Sequence, residues 1–160
     1  MAAWAVVGRN SEGRWSRAGP CPGLQTIGRA ELAAVAHVLV DAEPGTIVTD
    51  CLGIKTKCVA ILRGQVPMEA VLKGANADLW WEVWQALRKV PGWTFDWLPS
   101  HRSLAEAAAA GLSAEDWLGK ERADDAAKAQ ARAADISPLL LTRWAANRAA
   151  VEAVWRLTDC

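Results

Sequence analysis

Thr46-Ile47-Val48-Thr49-Asp50 is the stretch on which the reading of this chain turns. Four β-prone residues end in a carboxylate, with Pro44 and Gly45 just before them and a helical pattern after. In an α/β sheet the C-terminal ends of strands open onto the crevice where ligands bind, so an acid in this place suits a site. Asp is also a common helix N-cap, which gives Asp50 a second reading as the cap of the helix that follows. The neighbouring segments decide between the two.

Upstream, Leu32, Val35, Ala36 and Leu39 recur at three- and four-residue steps, which predicts a helix from Arg29 with one apolar stripe. Glu31 then falls in the first helical turn, where the helix dipole stabilises a carboxylate. Before that helix, residues 19–23 break regular structure, and residues 3–9 and 14–18 flank the turn-forming Asn10-Ser11-Glu12-Gly13 as an antiparallel hairpin.

Downstream, Cys51, Ile54, Cys58, Ile61 and Leu62 share a helical face, which makes the two cysteines packing residues. Residues 64–74, with Pro67 among them, read as irregular. Asn76 then caps a helix that turns Leu79, Val83, Ala86, Leu87 and Val90 inward. Trp80, Trp81 and Trp84 crowd that helix; packing is the favoured reading and a base-stacking platform the alternative. Trp93, Phe95 and Trp97 alternate with Thr94, Asp96 and Leu98 as a strand with one aromatic face. A short helix is expected within residues 103–111. Ser113 with Asp116 resembles a capping arrangement for a helix through Glu121, Arg122, Asp124 and Asp125 to Ala134. Ser137-Pro138 restarts a helix whose apolar side is Leu140, Trp144, Val151 and Trp155. The expectation is an α/β domain over residues 1–135 and a C-terminal helical extension over residues 136–160.

The totals remove several classes of function. Lysine plus arginine and aspartate plus glutamate both number 18 in 160 residues, so the basic excess common in autonomous nucleic-acid binders is absent. The four cysteines show no CxxC pairing and no histidines at zinc spacing, which argues against a metal cluster and for reduced thiols in an intracellular protein. The N-terminus reaches Arg9 before any long apolar run, so neither a signal peptide nor a membrane partner is expected. Ten tryptophans beside one phenylalanine and no tyrosine speak of lineage rather than function.

Taken in order, five segments resemble the type 1 ribonuclease H family. Arg29-Ala30-Glu31-Leu32 looks like its glutamate helix and Thr49-Asp50 like its second aspartate. Asp78-Leu79-Trp80 resembles its "DLW" helix start, and Trp97 followed by Ser100-His101 its histidine loop. Glu121-Arg122-Ala123-Asp124 resembles its N-E-R-x-D helix. The resemblance covers the chain from Trp4 to Ala134. It implies a ribonuclease H-like mixed sheet, an antiparallel hairpin plus parallel strands, flanked by helices.

The implied activity is Mg²⁺-dependent endonucleolytic hydrolysis of RNA in RNA–DNA hybrids, in a retroelement or similar polyprotein. Two Mg²⁺ ions about 4 Å apart stabilise the attacking and leaving oxygens of such a reaction, and this hard cation prefers carboxylate oxygens. The resemblance implies metal roles for Glu31, Asp50 and Asp124, which with His101 form the catalytic set, and substrate contacts for Thr26 and Thr49. Asp125 is expected at the surface, and His37 reads as structural.

The departures are as informative. The family opens with a central strand bearing an aspartate in a D-G-S context, whereas Trp4-Ala5-Val6-Val7 resembles its second strand, so the first strand and one metal ligand are expected to be missing. Before Glu31 the family often has Thr-Asn-Asn, amides that touch the RNA strand; Thr26-Ile27-Gly28 keeps the threonine alone. A partner that donates a strand is one expectation, and weak or no cleavage by the chain alone another. The alternative is a non-catalytic nucleic-acid- or protein-binding remnant.

Overall fold

Residues 2–99, 103–109, 111 and 113–133 are described by a computed structural model. The predicted hairpin is there: β1 (Ala3–Asn10) pairs antiparallel with β2 (Gly13–Pro20). Its turn is Ser11-Glu12. The Glu12 amide donates to Asn10 Oδ1 at 3.0 Å, and Gly13 takes φ +128°, a conformation side chains resist. Across the ladder Gly8 faces Trp15 and Gly19 faces Trp4. A Cβ on Gly8 would lie 2.2 Å from the Trp15 ring, so the glycine is what lets the indole lie across the strand.

Helix α1 (Ile27–Asp41) begins two residues before the predicted Arg29, because the Thr26 hydroxyl caps it by accepting the Arg29 amide at 3.3 Å. Glu31 therefore lies beyond the first turn, which carries no acid, and the dipole explanation for it falls. The stripe predicted for α1 is buried at Leu32, Val35, Ala36 and Leu39.

Strands β3 (Thr46–Thr49) and β4 (Thr94–Trp97) pair in parallel, Ile47 opposite Phe95 and Thr49 opposite Trp97. Three helices cross between them: α2 (Leu52–Leu62), α3 (Met68–Leu72) and α4 (Ala77–Lys89). Helix α3 occupies part of the segment expected to be irregular. Pro67 starts it, and Val71, fully buried, anchors it; one apolar anchor in five residues has no period for a sequence to display. Asn76 precedes α4 in the left-handed region, at φ 58°, and makes no side-chain cap. Its Oδ1 instead accepts from Arg29 at 3.1 Å. Helices α5 (Leu104–Ala109) and α6 (Ala114–Ala133) follow, and the expected Ser113–Asp116 capping contact is present at 3.0 Å from the Asp116 amide.

The class is thus α/β, with a small antiparallel sheet and a parallel sheet flanked by helices. Among the described residues the expected single mixed sheet is divided: β1–β2 and β3–β4 form separate two-stranded ladders. One apolar core nevertheless runs through both, from Trp4 through α1, Ile47, α2 and α4 to Phe95. The tryptophans of α4 serve packing. Trp80 is buried under the Lys57 ammonium, and Trp84 stacks on Trp81 while donating to the Val66 carbonyl at 3.1 Å. His37 stacks on Trp4 at 3.9 Å, in keeping with its structural reading. Cys58 is buried, and burial pushes its thiol up to about 12, in line with an inert packing role. His101 and the extension over residues 136–160 lie outside the described residues.

Candidate functional site

Between the two ladders lies a cavity of about 330 Å³. Val6 to Arg9 of β1 and Thr46 to Asp50 form its walls, and Ala34, Val35 and Val38 of α1 line it from within the fold. Helix α6, packed on β1, β2 and β3, contributes Gly119, Lys120 and Asp124. Glu31, Asp50 and Asp124 all border this one space, although they stand far apart in the sequence.

The end of β3 is pinned from two sides. The Leu98 amide donates to the Thr49 carbonyl at 3.1 Å, and the Trp97 indole donates to the Asp50 carbonyl at 3.0 Å. The N-cap of α2 is Cys51, without a side-chain cap bond, and the Cys51 amide is taken by Thr49 Oγ1 at 3.2 Å. Capping is therefore not what Asp50 does. Its carboxylate faces the Lys120 ammonium at 3.9 Å.

Lys120 also pairs with Asp124, one helical turn along α6. Its side chain is 15 % exposed, and this burial works to lower its pKa; the hydrogen bond and charge of Asp124, with Asp50 and Glu121, outweigh burial and leave it raised. Sequence reasoning passed over Lys120, although its four-residue spacing from Asp124 is a visible signal. Glu31 is half-buried in the wall. Burial raises its carboxyl above the usual carboxylate range, the charges of Asp50 and Asp124 push the same way, and a hydrogen bond with the Cys51 thiol opposes them. Asp125 is exposed, as expected from its neighbouring position on the helix.

As a metal site the donor set does not fit as it stands. Among the described residues no three acidic, histidine or cysteine side chains are grouped closely enough to hold an ion, and an ammonium sits between two of the three carboxylates. Thr49 is half-buried beside the cavity, with its hydroxyl accepting the Cys51 amide. Thr26 is exposed at the start of α1 and acts there as its cap.

A further contact joins two of the segments singled out from the sequence. The buried Arg29 guanidinium bridges to both oxygens of Asp78 and to the Pro22 carbonyl, tying the start of α1 to that of α4. This fork holds the Asp78 carboxyl down to about 2. No helix among the described residues is long and apolar enough to cross a membrane. Compared with known proteins, the sequence matches no family model and no curated protein.

Proposed function

We propose that the chain is a ribonuclease H-type domain, of the lineage that hydrolyses RNA in RNA–DNA hybrids with Mg²⁺, and that by itself it cuts weakly or not at all. One observation carries this reading: Glu31 from α1, Asp50 from the end of β3 and Asp124 from α6 border one cavity, and the capping and dipole roles that would explain the first two otherwise do not hold. Carboxylate oxygens are the donors a hard divalent cation prefers, although these three are not grouped closely enough to hold one as they stand. The weakness follows from the ammonium among them. Lys120 already meets the charge of Asp50 and Asp124, so no reaction step is assigned to a bound metal.

The same lysine favours a second reading, a nucleic-acid-binding module that no longer cleaves. Titrating Mg²⁺ against a labelled RNA–DNA hybrid separates the two. Trace metal-dependent cutting that disappears in Asp50→Asn supports the nuclease reading. Binding of the hybrid that is indifferent to metal, with no cutting, supports the module. Robust cutting that survives Asp50→Asn sinks the assignment of this site.

A further inference from the structure

Near its turn the hairpin carries two arginines that meet a single carboxylate. Arg9 of β1 and Arg14 of β2 stand directly opposite each other on the ladder, where like charges repel. Glu115, in the first turn of α6, bridges them: its Oε1 accepts from Arg9 Nη1 at 2.8 Å and from Arg14 Nη2 at 3.1 Å. Asp116, the other acid of that turn, accepts the Ser113 hydroxyl at 2.6 Å. Two guanidiniums thus share one carboxylate and keep one positive charge in excess.

The cluster is open to solvent, with the side chains of Arg9, Arg14 and Glu115 all more than half exposed. Exposed ion pairs are weak, because water and salt screen them and two long side chains must be held still. Glu115 is therefore an occupant that a stronger anion can displace. Guanidinium forks match the oxygens of a phosphate as well as those of a carboxylate. A nucleic-acid strand also brings a row of phosphates and releases condensed counterions as cations neutralise them, a gain that a single carboxylate does not offer.

The position relates this cluster to the acids. Arg9, Arg14 and Glu115 border the same cavity as Glu31, Asp50 and Asp124. From Glu115 to Asp124 the axis of α6 advances about 13 Å, at about 1.5 Å per residue. One strand of a duplex rises about 3.4 Å per nucleotide, so a strand that follows α6 from the arginines comes to Asp124 about four nucleotides along.

We propose that Arg9 and Arg14 form a phosphate-binding site for the backbone of a nucleic-acid strand, and that Glu115 fills it when no strand is bound. The contact positions the strand and carries no sequence information. It rests on the nucleic-acid partner common to both readings above, and adds where the strand is held.

The test measures binding without cutting: the full chain in EDTA, a fluorescein-labelled RNA–DNA hybrid, and anisotropy titrations between about 50 mM and about 200 mM NaCl. Arg9→Gln and Arg14→Gln should each weaken binding at least about threefold and make the slope of log affinity against log salt shallower by about 1. Glu115→Gln, which removes the competing carboxylate, should tighten binding at least about threefold. A triad that only holds α6 to the hairpin gives the opposite sign, because losing Glu115 would then weaken binding along with the arginine variants. Arg17→Gln is the control. Arg17 is likewise more than half exposed but pairs with Asp41 of α1, on the other face of the hairpin, so its loss should change binding less than about twofold. Weaker binding in Glu115→Gln, or an effect of Arg17→Gln equal to that of Arg14→Gln, would overturn the proposal. So would displacement of the hybrid by a phosphoserine peptide at lower concentration than by unlabelled hybrid, which would give the site to a protein partner. Intact binding that neither arginine variant alters sinks this site alone, whereas no binding of the hybrid by the wild type sinks the nucleic-acid reading and the site with it.

Discussion

At the scale of single residues, charge pairs govern what can be measured. Asp78 has a folded-state pKa of about 2, below its ordinary 3.8, through the Arg29 fork. A depressed carboxylate contributes stability that is present above its unfolded pKa and is lost as pH falls through the folded one. The wild type should therefore lose stability between about pH 4 and pH 2 more steeply than Asp78→Asn. Asp78 is 61 % exposed, so solvent screening holds the effect to about 1 kcal/mol, or a melting shift of about 2–4 °C at this chain length. Parallel melting curves of the two proteins across that window would refute it. For Lys120 the measured quantity is cation affinity. Partly exposed ion pairs contribute up to about 1 kcal/mol, weak enough for a divalent cation to compete with the ammonium. Lys120→Met should accordingly bind Mg²⁺ up to about fivefold more tightly than wild type by calorimetry. Unchanged affinity would mean that the ammonium does not compete.

At the scale of elements, the hairpin depends on its two glycine–tryptophan pairs. Gly8→Ala drives a methyl into the Trp15 ring and should cost about 1–3 kcal/mol in urea unfolding. Trp15→Ala in the same chain should recover part of that loss, giving a coupling energy in a double-mutant cycle. Additive losses would place the strain elsewhere. These pairs also show what the sequence could display. Valines around a polar turn announce the hairpin, a β-prone run announces β3, and period announces α1, α2, α4 and β4. That Gly8 faces Trp15 depends on register, which the turn sets and no residue count reveals. That Glu31, Asp50 and Asp124 border one cavity was not legible from any of them singly, since Asp50 also reads as a helix cap and Glu31 as a first-turn carboxylate; it was the order of five segments that singled them out together. The starting point of α1 was hidden as well, since Thr26 and Gly28 carry no apolar period and the cap alone extends the helix to Ile27. The division of the sheet into two ladders among the described residues is a tertiary relation without a local signature.

At the scale of the whole molecule, those separate ladders raise the question of whether the chain is one cooperative unit. Hydrogen bonding alone would permit the hairpin to open while β3–β4 persists, since no ladder among the described residues joins them. Packing argues the other way. Leu32, 1 % exposed, belongs to the core cluster that includes Trp4 on the hairpin side and Ile47 and Phe95 on the other, and α1 packs on both β1 and α4. A large-to-small change at such a site removes contacts and leaves a void, typically at about 2–5 kcal/mol, whereas an isolated two-stranded hairpin is at best marginal in water. The hairpin therefore stands or falls with α1. Leu32→Ala should lower stability by about 2–5 kcal/mol, and in wild type and variant alike the amides of Val6 and Ile47 should open with the same free energy in native-state hydrogen exchange. Val6 reports the β1–β2 ladder and Ile47 the β3–β4 ladder. A variant in which Val6 opens at much lower cost while Ile47 stays at the global value would show the two ladders to be independent, and would place the cavity between them at a joint rather than within a single core.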